Sequence, residues 1–359
     1  MLLIVATEEW TMRKTTKSPG EKIVKDMDYS LLRQIPPILT APGHYLGSSS
    51  SVMTLTCNGA GNLSRALQYD ALGEIMPEHN ILTDRASRIA ARWDLTLGDQ
   101  LQHNKSRAVY KVETANGPAV LKLYRKLHLS GERAAIPFLK ALPDDIALKI
   151  YRASPMRRAV LMEWLDGPSL ATLIAEGQTV EAEEHLAHVV AKLAKVKFKN
   201  HLIYRKIREA RTPNAFKAAA AAQTGQRQKL CKKVAEILDG LLKTTEVETV
   251  IHGDLQFQHA ILTPNGPRLF DPKGLCADPA AEYRLVLTPD SGDLTVDDFI
   301  HCVARRAMLF ADATGIDRQR ILQWATVVWG AGVMNGKKAP NGPDTVEAYL
   351  EALLDLAVS

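Results

Sequence analysis

Asp254 and Asp271 stand seventeen residues apart, each where a loop meets a β-rich stretch. Val250-Ile251 runs into His252-Gly253-Asp254-Leu255. Ala260-Ile261-Leu262 and Arg268-Leu269-Phe270-Asp271 flank the turn Thr263-Pro264-Asn265-Gly266-Pro267, which reads as a hairpin. A hairpin returns the chain on itself, so the spacing lets the two carboxylates approach one another. Paired carboxylates at strand ends suit Mg²⁺, a hard ion that takes oxygen ligands and also binds phosphates. Lys122 adds a cation inside the largely apolar strand Ala119 to Tyr124. Two carboxylates and a lysine are the parts of phosphoryl transfer. One carboxylate orients and deprotonates a hydroxyl, the other holds metal, and the lysine holds phosphates.

The elements that must position these groups are legible in outline. Val109 to Glu113 and Ala119 to Tyr124 flank the turn dipeptide Asn116-Gly117, which predicts a β-hairpin carrying Lys122. Ala147 to Tyr151 and Ala159 to Met162 read as two further strands. Ser130 to Leu142 reads as a helix, limited or kinked by Pro137. Beyond Gly167 the apolar period becomes helical, as in Leu186, Val189, Val190, Leu193 and Val196 within Thr179 to Phe198. The fold class expected is α+β, a small antiparallel-sheet lobe followed by a larger, mainly helical one. The joint falls near Glu163-Trp164-Leu165-Asp166-Gly167. Residues 1–75 are broken by Pro36-Pro37, Pro42-Gly43 and a run of serines without sustained periodicity. They read as a poorly ordered extension, with Met76 an alternative start.

The His252-Gly253-Asp254-Leu255 stretch resembles the catalytic loop of aminoglycoside phosphotransferase-like kinases, which share the protein-kinase fold. Phe270-Asp271-Pro272-Lys273-Gly274-Leu275 resembles their metal-binding segment. Arg92-Trp93-Asp94-Leu95-Thr96, Ala119-Val120-Leu121-Lys122, Asp278-Pro279-Ala280-Ala281-Glu282 and Ile316 to Ala325 are most similar to the streptomycin and hydroxyurea phosphotransferase branch. The resemblance runs from about Trp93 to Trp329. It implies a nucleotide-binding lobe over residues 76–165 and a lobe with catalytic loop and acceptor site over 166–359. It implies that Asp254 is the base, that Asp271 binds Mg²⁺ and that Lys122 contacts the α/β-phosphates of ATP. Glu132 would pair with Lys122, and the backbone from Glu163 to Leu165 would meet adenine. The implied activity is ATP-dependent transfer to a hydroxyl of a small molecule, an aminoglycoside such as streptomycin or hydroxyurea, giving antibiotic resistance in the cytoplasm.

Three features depart from the family pattern. The family loop ends in Asn, a metal ligand, where this chain has His259; imidazole is a poorer ligand for Mg²⁺ than an amide oxygen. No glycine lies between Gly98 and Gly117, so a glycine-rich phosphate loop is missing. Pro137 follows Glu132 by five residues. These departures keep two alternatives open, a non-catalytic nucleotide-binding protein and a kinase of another small metabolite. Glu282 reads either as a contact for a cationic substrate or as a buried acceptor for the catalytic loop. Lys273 reads either as a phosphate contact or as local structure.

Composition bounds the rest. Hydrophobic residues make up 46% and charged residues 24%, as in ordinary soluble domains. Four cysteines without a Cys-x-x-Cys pair read as reduced thiols. No run approaches the length of a membrane span. The net charge of +5 conceals thirteen basic residues and one acid between Lys192 and Lys233, which leaves −7 for the remainder. Phe198, Tyr204 and Phe216 interleave with this basic block, the pattern of a nucleic-acid face. A solvated helix face is the preferred reading. From Val234 onward eighteen acids face ten basic residues, which suits a cationic acceptor.

Overall fold

The computed structural model describes residues 78–104, 106–125, 132–199, 203–207, 212–289, 294–338 and 345–358. The reading of residues 1–75 as an extension lies outside them. Helix α1 (Glu78–Trp93) leads into β1 (Thr96–His103), β2 (Arg107–Thr114) and β3 (Gly117–Tyr124). Helix α2 (Glu132–Ala141) and strands β4 (Ile150–Ser154) and β5 (Ala159–Glu163) follow. The five strands form one antiparallel sheet in the order β1-β2-β3-β5-β4.

Strand alternation divides this sheet into two faces. Ala108, Tyr110, Val112, Ala119, Leu121, Leu123, Ala159 and Leu161 pack against Leu82, Ala86, Ile89 and Trp93 of α1. Each fully buried leucine there contributes about 1.5–3 kcal/mol. The opposite face carries Val109, Val120, Lys122, Tyr124, Val160 and Met162, which line a cavity. The hairpin expected around Asn116-Gly117 is present, with Val109 opposite Lys122. Strand β1 and helix α1 are additions to what periodicity singles out. Strand β4 begins at Ile150, and Ala147 makes an isolated bridge to Leu269 instead.

Helix α2 runs through Pro137, whose missing N–H removes one helical hydrogen bond. Its buried side chains offset this loss. Phe138 stacks on Phe198 with centroids 5.2 Å apart and meets the His252 ring edge-on at 5.9 Å. Ala134, Phe138, Leu139 and Leu142 belong to the larger core.

That core is built from α3 (Leu170–Ala175), α4 (Thr179–Leu193), α5 (Pro213–Ala221), α6 (Gly225–Thr244), α7 (Val296–Thr314), α8 (Arg318–Met334) and α9 (Val346–Leu356). Three short strands, β6 (Arg205–Lys206), β7 (Thr249–Ile251) and β10 (Leu275–Ala277), pair in the order β6-β10-β7. Strands β8 (Ala260–Thr263) and β9 (Gly266–Leu269) form the expected hairpin between the two aspartates.

Among the described residues, the basic side chains of the block lie largely toward solvent and its aromatic residues point inward. Phe198, Tyr204 and Phe216 are buried in the core, so they offer no rings for bases to stack on. Lys192, Lys206, Lys217 and Arg227 pair with Asp145, Glu248, Asp239 and Glu347. Cys231, Cys276 and Cys302 take part in no disulfide. Among the described residues no helix is long and apolar enough to cross a membrane.

Candidate active site

The segment after β9 delivers Asp271 to the cavity-facing side of the sheet. Lys122 Nζ donates to Asp271 Oδ1 at 2.5 Å, and Arg107 donates to Oδ2 at 3.2 Å. Burial alone would raise the Asp271 carboxyl, but the two cations outweigh it and hold the group well below the usual carboxylate range. The Asp271 backbone has φ +55°, a left-handed conformation that Asp tolerates better than most side chains. The hydrogen bonds on either side of Asp271 hold it there.

Those bonds begin at His252, which is wholly buried. Its Nε2–H donates to the Phe270 carbonyl at 3.0 Å, and its Nδ1 accepts the Asp254 N–H at 3.3 Å. One neutral imidazole thus ties the Asp254 loop to the residue before Asp271. Burial, with His259 nearby, pushes its pKa down to about 4, which keeps it neutral. The His252 carbonyl accepts the N–H groups of Lys273 and Gly274 at 2.8 and 3.0 Å. Two glycines permit this close approach. A Cβ on Gly253 (φ +79°) would lie 2.9 Å from Leu275 Cγ, and one on Gly274 (φ +60°) 2.9 Å from the Ala134 carbonyl oxygen.

Glu282 anchors the same loop. Its carboxylate accepts the His252 N–H at 2.6 Å and the Gly253 N–H at 3.1 Å. Burial raises this carboxyl to about 7, opposed by Arg284 and by the two N–H groups. Of the two readings of Glu282, the buried acceptor is the one the geometry shows. Arg284 closes the arrangement by donating to the Gly253 and Ala281 carbonyls.

Asp254 is half-buried. Gln256 donates to its Oδ1 at 2.9 Å, and Lys273 Nζ lies 3.6 Å from Oδ2. His259 Nδ1–H donates to the Asp254 carbonyl at 2.7 Å, and its ring packs on His252 and Phe270. The bond commits Nδ1, so His259 can offer a cation only Nε2. Among the described residues no three His, Cys, Asp or Glu side chains converge on one point. Mg²⁺ needs no such cage, because it keeps waters and takes substrate phosphates beside one or two carboxylates. Asp271 fits that role by donor chemistry.

The cavity measures about 480 Å³ and its lining is mostly apolar. It brings together four of the residues singled out by sequence: Lys122, Glu163, Leu165 and Asp271. Asp254 and His259 are not among its lining residues. The side chain of Glu132 lies outside the described residues. Glu163 is already heavily engaged. Its N–H donates to the Lys149 carbonyl at 2.9 Å, and its carboxylate receives two bonds of 2.7 Å from Arg268 and one of 2.9 Å from the Lys149 N–H. The Glu163 N–H is therefore committed within the sheet, and the backbone of Trp164 and Leu165 follows it along the cavity. Arg107 is the site residue that sequence reading missed. Its signal was its parity with Val109 on the face opposite Ala108 and Tyr110.

Residues 92–335 match the family model for aminoglycoside/hydroxyurea antibiotic resistance kinases. The chain belongs to that family. As a member of the resistance-kinase family it is a phosphotransferase acting on small molecules. Its fold is shared by a protein from Ralstonia eutropha JMP134 assigned as an aminoglycoside phosphotransferase, at 13% identity and a TM-score of 0.50, covering 77% of this chain and 98% of that one. A thermostable mutant of aminoglycoside phosphotransferase APH(4)-Ia is similar at 11% identity and a TM-score of 0.50, over 76% of this chain and 97% of its own. Among curated proteins none matches this member of the family.

Proposed function

We propose that this kinase transfers the γ-phosphate of ATP to a hydroxyl of a small cationic acceptor, an aminoglycoside such as streptomycin, with hydroxyurea the other candidate, and so confers resistance. The observation that carries the proposal is the convergence of Lys122, from the sheet, with Asp271 at one cavity, and of Lys273 with Asp254 beside it. Adenine would enter the apolar part of the cavity between Val120, Val160 and Leu165, meeting backbone at Trp164 and Leu165. Lys122 would contact the phosphates. Asp254, oriented by Gln256 and by its backbone bonds to His252 and His259, would accept the proton of the attacking hydroxyl. Asp271, with His259 Nε2 as a second donor, would hold Mg²⁺, which neutralises phosphate charge when bound.

The acidic C-terminal portion supports a cationic acceptor, because a cleft of one sign raises the local concentration of the opposite one. On this reading the protein would work in the cytoplasm, where ATP and Mg²⁺ are supplied, and residues 76–165 and 166–359 would serve as nucleotide and acceptor lobes. Consumption of ATP in the presence of Mg²⁺ and a panel of aminoglycosides, hydroxyurea and neutral alcohols tests the reading. Turnover confined to a cationic aminoglycoside supports it, and turnover confined to hydroxyurea, which is uncharged, supports the transfer and overturns the cationic acceptor. Binding of ATP without transfer to any member of the panel would sink the acceptor assignment.

A further inference from the structure

Three cations and two carboxylates form two ion clusters at this site. Lys122 and Arg107 both contact Asp271, and Lys273 sits by Asp254. The five groups sum to one net positive charge. Arg107 comes from the start of β2, beside the turn that closes β1 onto β2. In that turn Asn104 Oδ1 accepts the N–H groups of Ser106 and Arg107 at 2.9 and 3.0 Å and the Ser106 hydroxyl at 2.7 Å. Asn104 thereby fixes the backbone from which the Arg107 side chain departs. The side chain is only 15% exposed. This turn holds no glycine, so it lacks the backbone freedom with which a glycine-rich loop folds its N–H groups around phosphates.

We propose that Arg107 is a phosphate-binding residue of this kinase, doing with a guanidinium what a glycine-rich loop does with backbone N–H groups, and that it selects nucleoside triphosphates over monophosphates. The proposal rests on the nucleotide reading above. An arginine fork matches the paired oxygens of a phosphate as it matches those of a carboxylate. Arg107 already reaches Asp271 from the same side of the sheet as Lys122. On nucleotide binding it exchanges its Asp271 oxygen for a phosphate oxygen, and the freed carboxylate oxygen faces the phosphates.

Calorimetric titration of the full chain with ATP, ADP, AMP and adenosine tests this, using wild type, Arg107→Lys and Arg107→Gln. Wild type is expected to bind ATP more tightly than AMP. Arg107→Gln should lose about tenfold or more in ATP affinity, the size of a charged hydrogen bond, with AMP and adenosine unchanged. Arg107→Lys should fall between, since the charge survives and the fork does not. The ratio of ATP to adenosine affinity within one variant is insensitive to a small unfolded fraction. Equal ATP affinity in wild type and Arg107→Gln overturns the assignment, and so does a matching loss for all four ligands. A wild type that binds adenosine and ATP equally also overturns it. A wild type that binds no adenine nucleotide overturns the nucleotide reading itself.

Discussion

Lys122 Nζ lies 2.5 Å from Asp271 Oδ1, joining the third strand of the sheet to the segment that follows the β8–β9 hairpin. Both side chains are largely shielded from water, so the pair is screened less than a surface ion pair. Lys122→Met should reduce kcat/KM for ATP by about 10²–10³, the scale of losing one preorganised group that stabilises developing charge. Steady-state kinetics alongside a melting curve separates this from unfolding. Lys122→Arg should not restore activity, because a planar fork cannot occupy the site of a compact ammonium.

Glu282 meets two backbone N–H groups with its two oxygens. In Glu282→Gln one of those N–H groups would face an NH₂ instead of an oxygen. The cost of leaving a buried donor unsatisfied is about 1–3 kcal/mol, which a denaturant titration will read as a lower midpoint with an unchanged slope. Because the loop is held there, turnover should fall as well.

His252 gives a pH signature. Its folded pKa is about 4, below an ordinary value of about 6.5, so the unfolded chain binds its proton more readily. Its contribution to stability is therefore complete above about pH 6.5 and is lost as pH falls toward 4. Glu282, raised to about 7 by burial, acts in the opposite sense, favouring the fold at low pH and losing that contribution as pH rises through 7. Comparison with a variant isolates the histidine. Wild type and His252→Gln should differ less in stability at pH 4 than at pH 7, by about 3 kcal/mol. Parallel pH profiles for the two proteins would mean that His252 does not titrate as its burial requires.

His259 stands where the family loop has asparagine. Asparagine can also donate to the Asp254 carbonyl, and its amide oxygen is a harder ligand than imidazole. His259→Asn should therefore keep the loop intact and lower the Mg²⁺ concentration needed for half-maximal activity by several-fold. An increase in that requirement would give the imidazole a role that asparagine cannot fill.

Much of this centre was legible in sequence because local patterns carry it. The turn dipeptide Asn116-Gly117 fixed the hairpin of Lys122, and the turn Thr263 to Pro267 fixed the one between Asp254 and Asp271. The convergence of Lys122 with Asp271 spans 149 residues; residue type suggested it, and the family resemblance gave each group its role. Arg107 stayed hidden because its parity with Val109 gives its face of the sheet but not the carboxylate 164 residues away that it meets. Glu163 shows the same limit. Its place at the joint was readable, but its bonds to Arg268 and Lys149 depend on how β9 packs. Phe198, Tyr204 and Phe216 looked like a stacking surface because their spacing within the basic block says nothing about which way each ring turns.

The central claim is that Asp254 takes the proton of an acceptor hydroxyl while Lys122 and Asp271 manage the phosphates. Its most direct test is Asp254→Asn, assayed for ATP binding and for transfer to the acceptor found in the panel. The account predicts unchanged melting, retained ATP binding and a loss of turnover of about 10²–10⁴, the range for a general base. Turnover at the wild-type rate in this variant would contradict it.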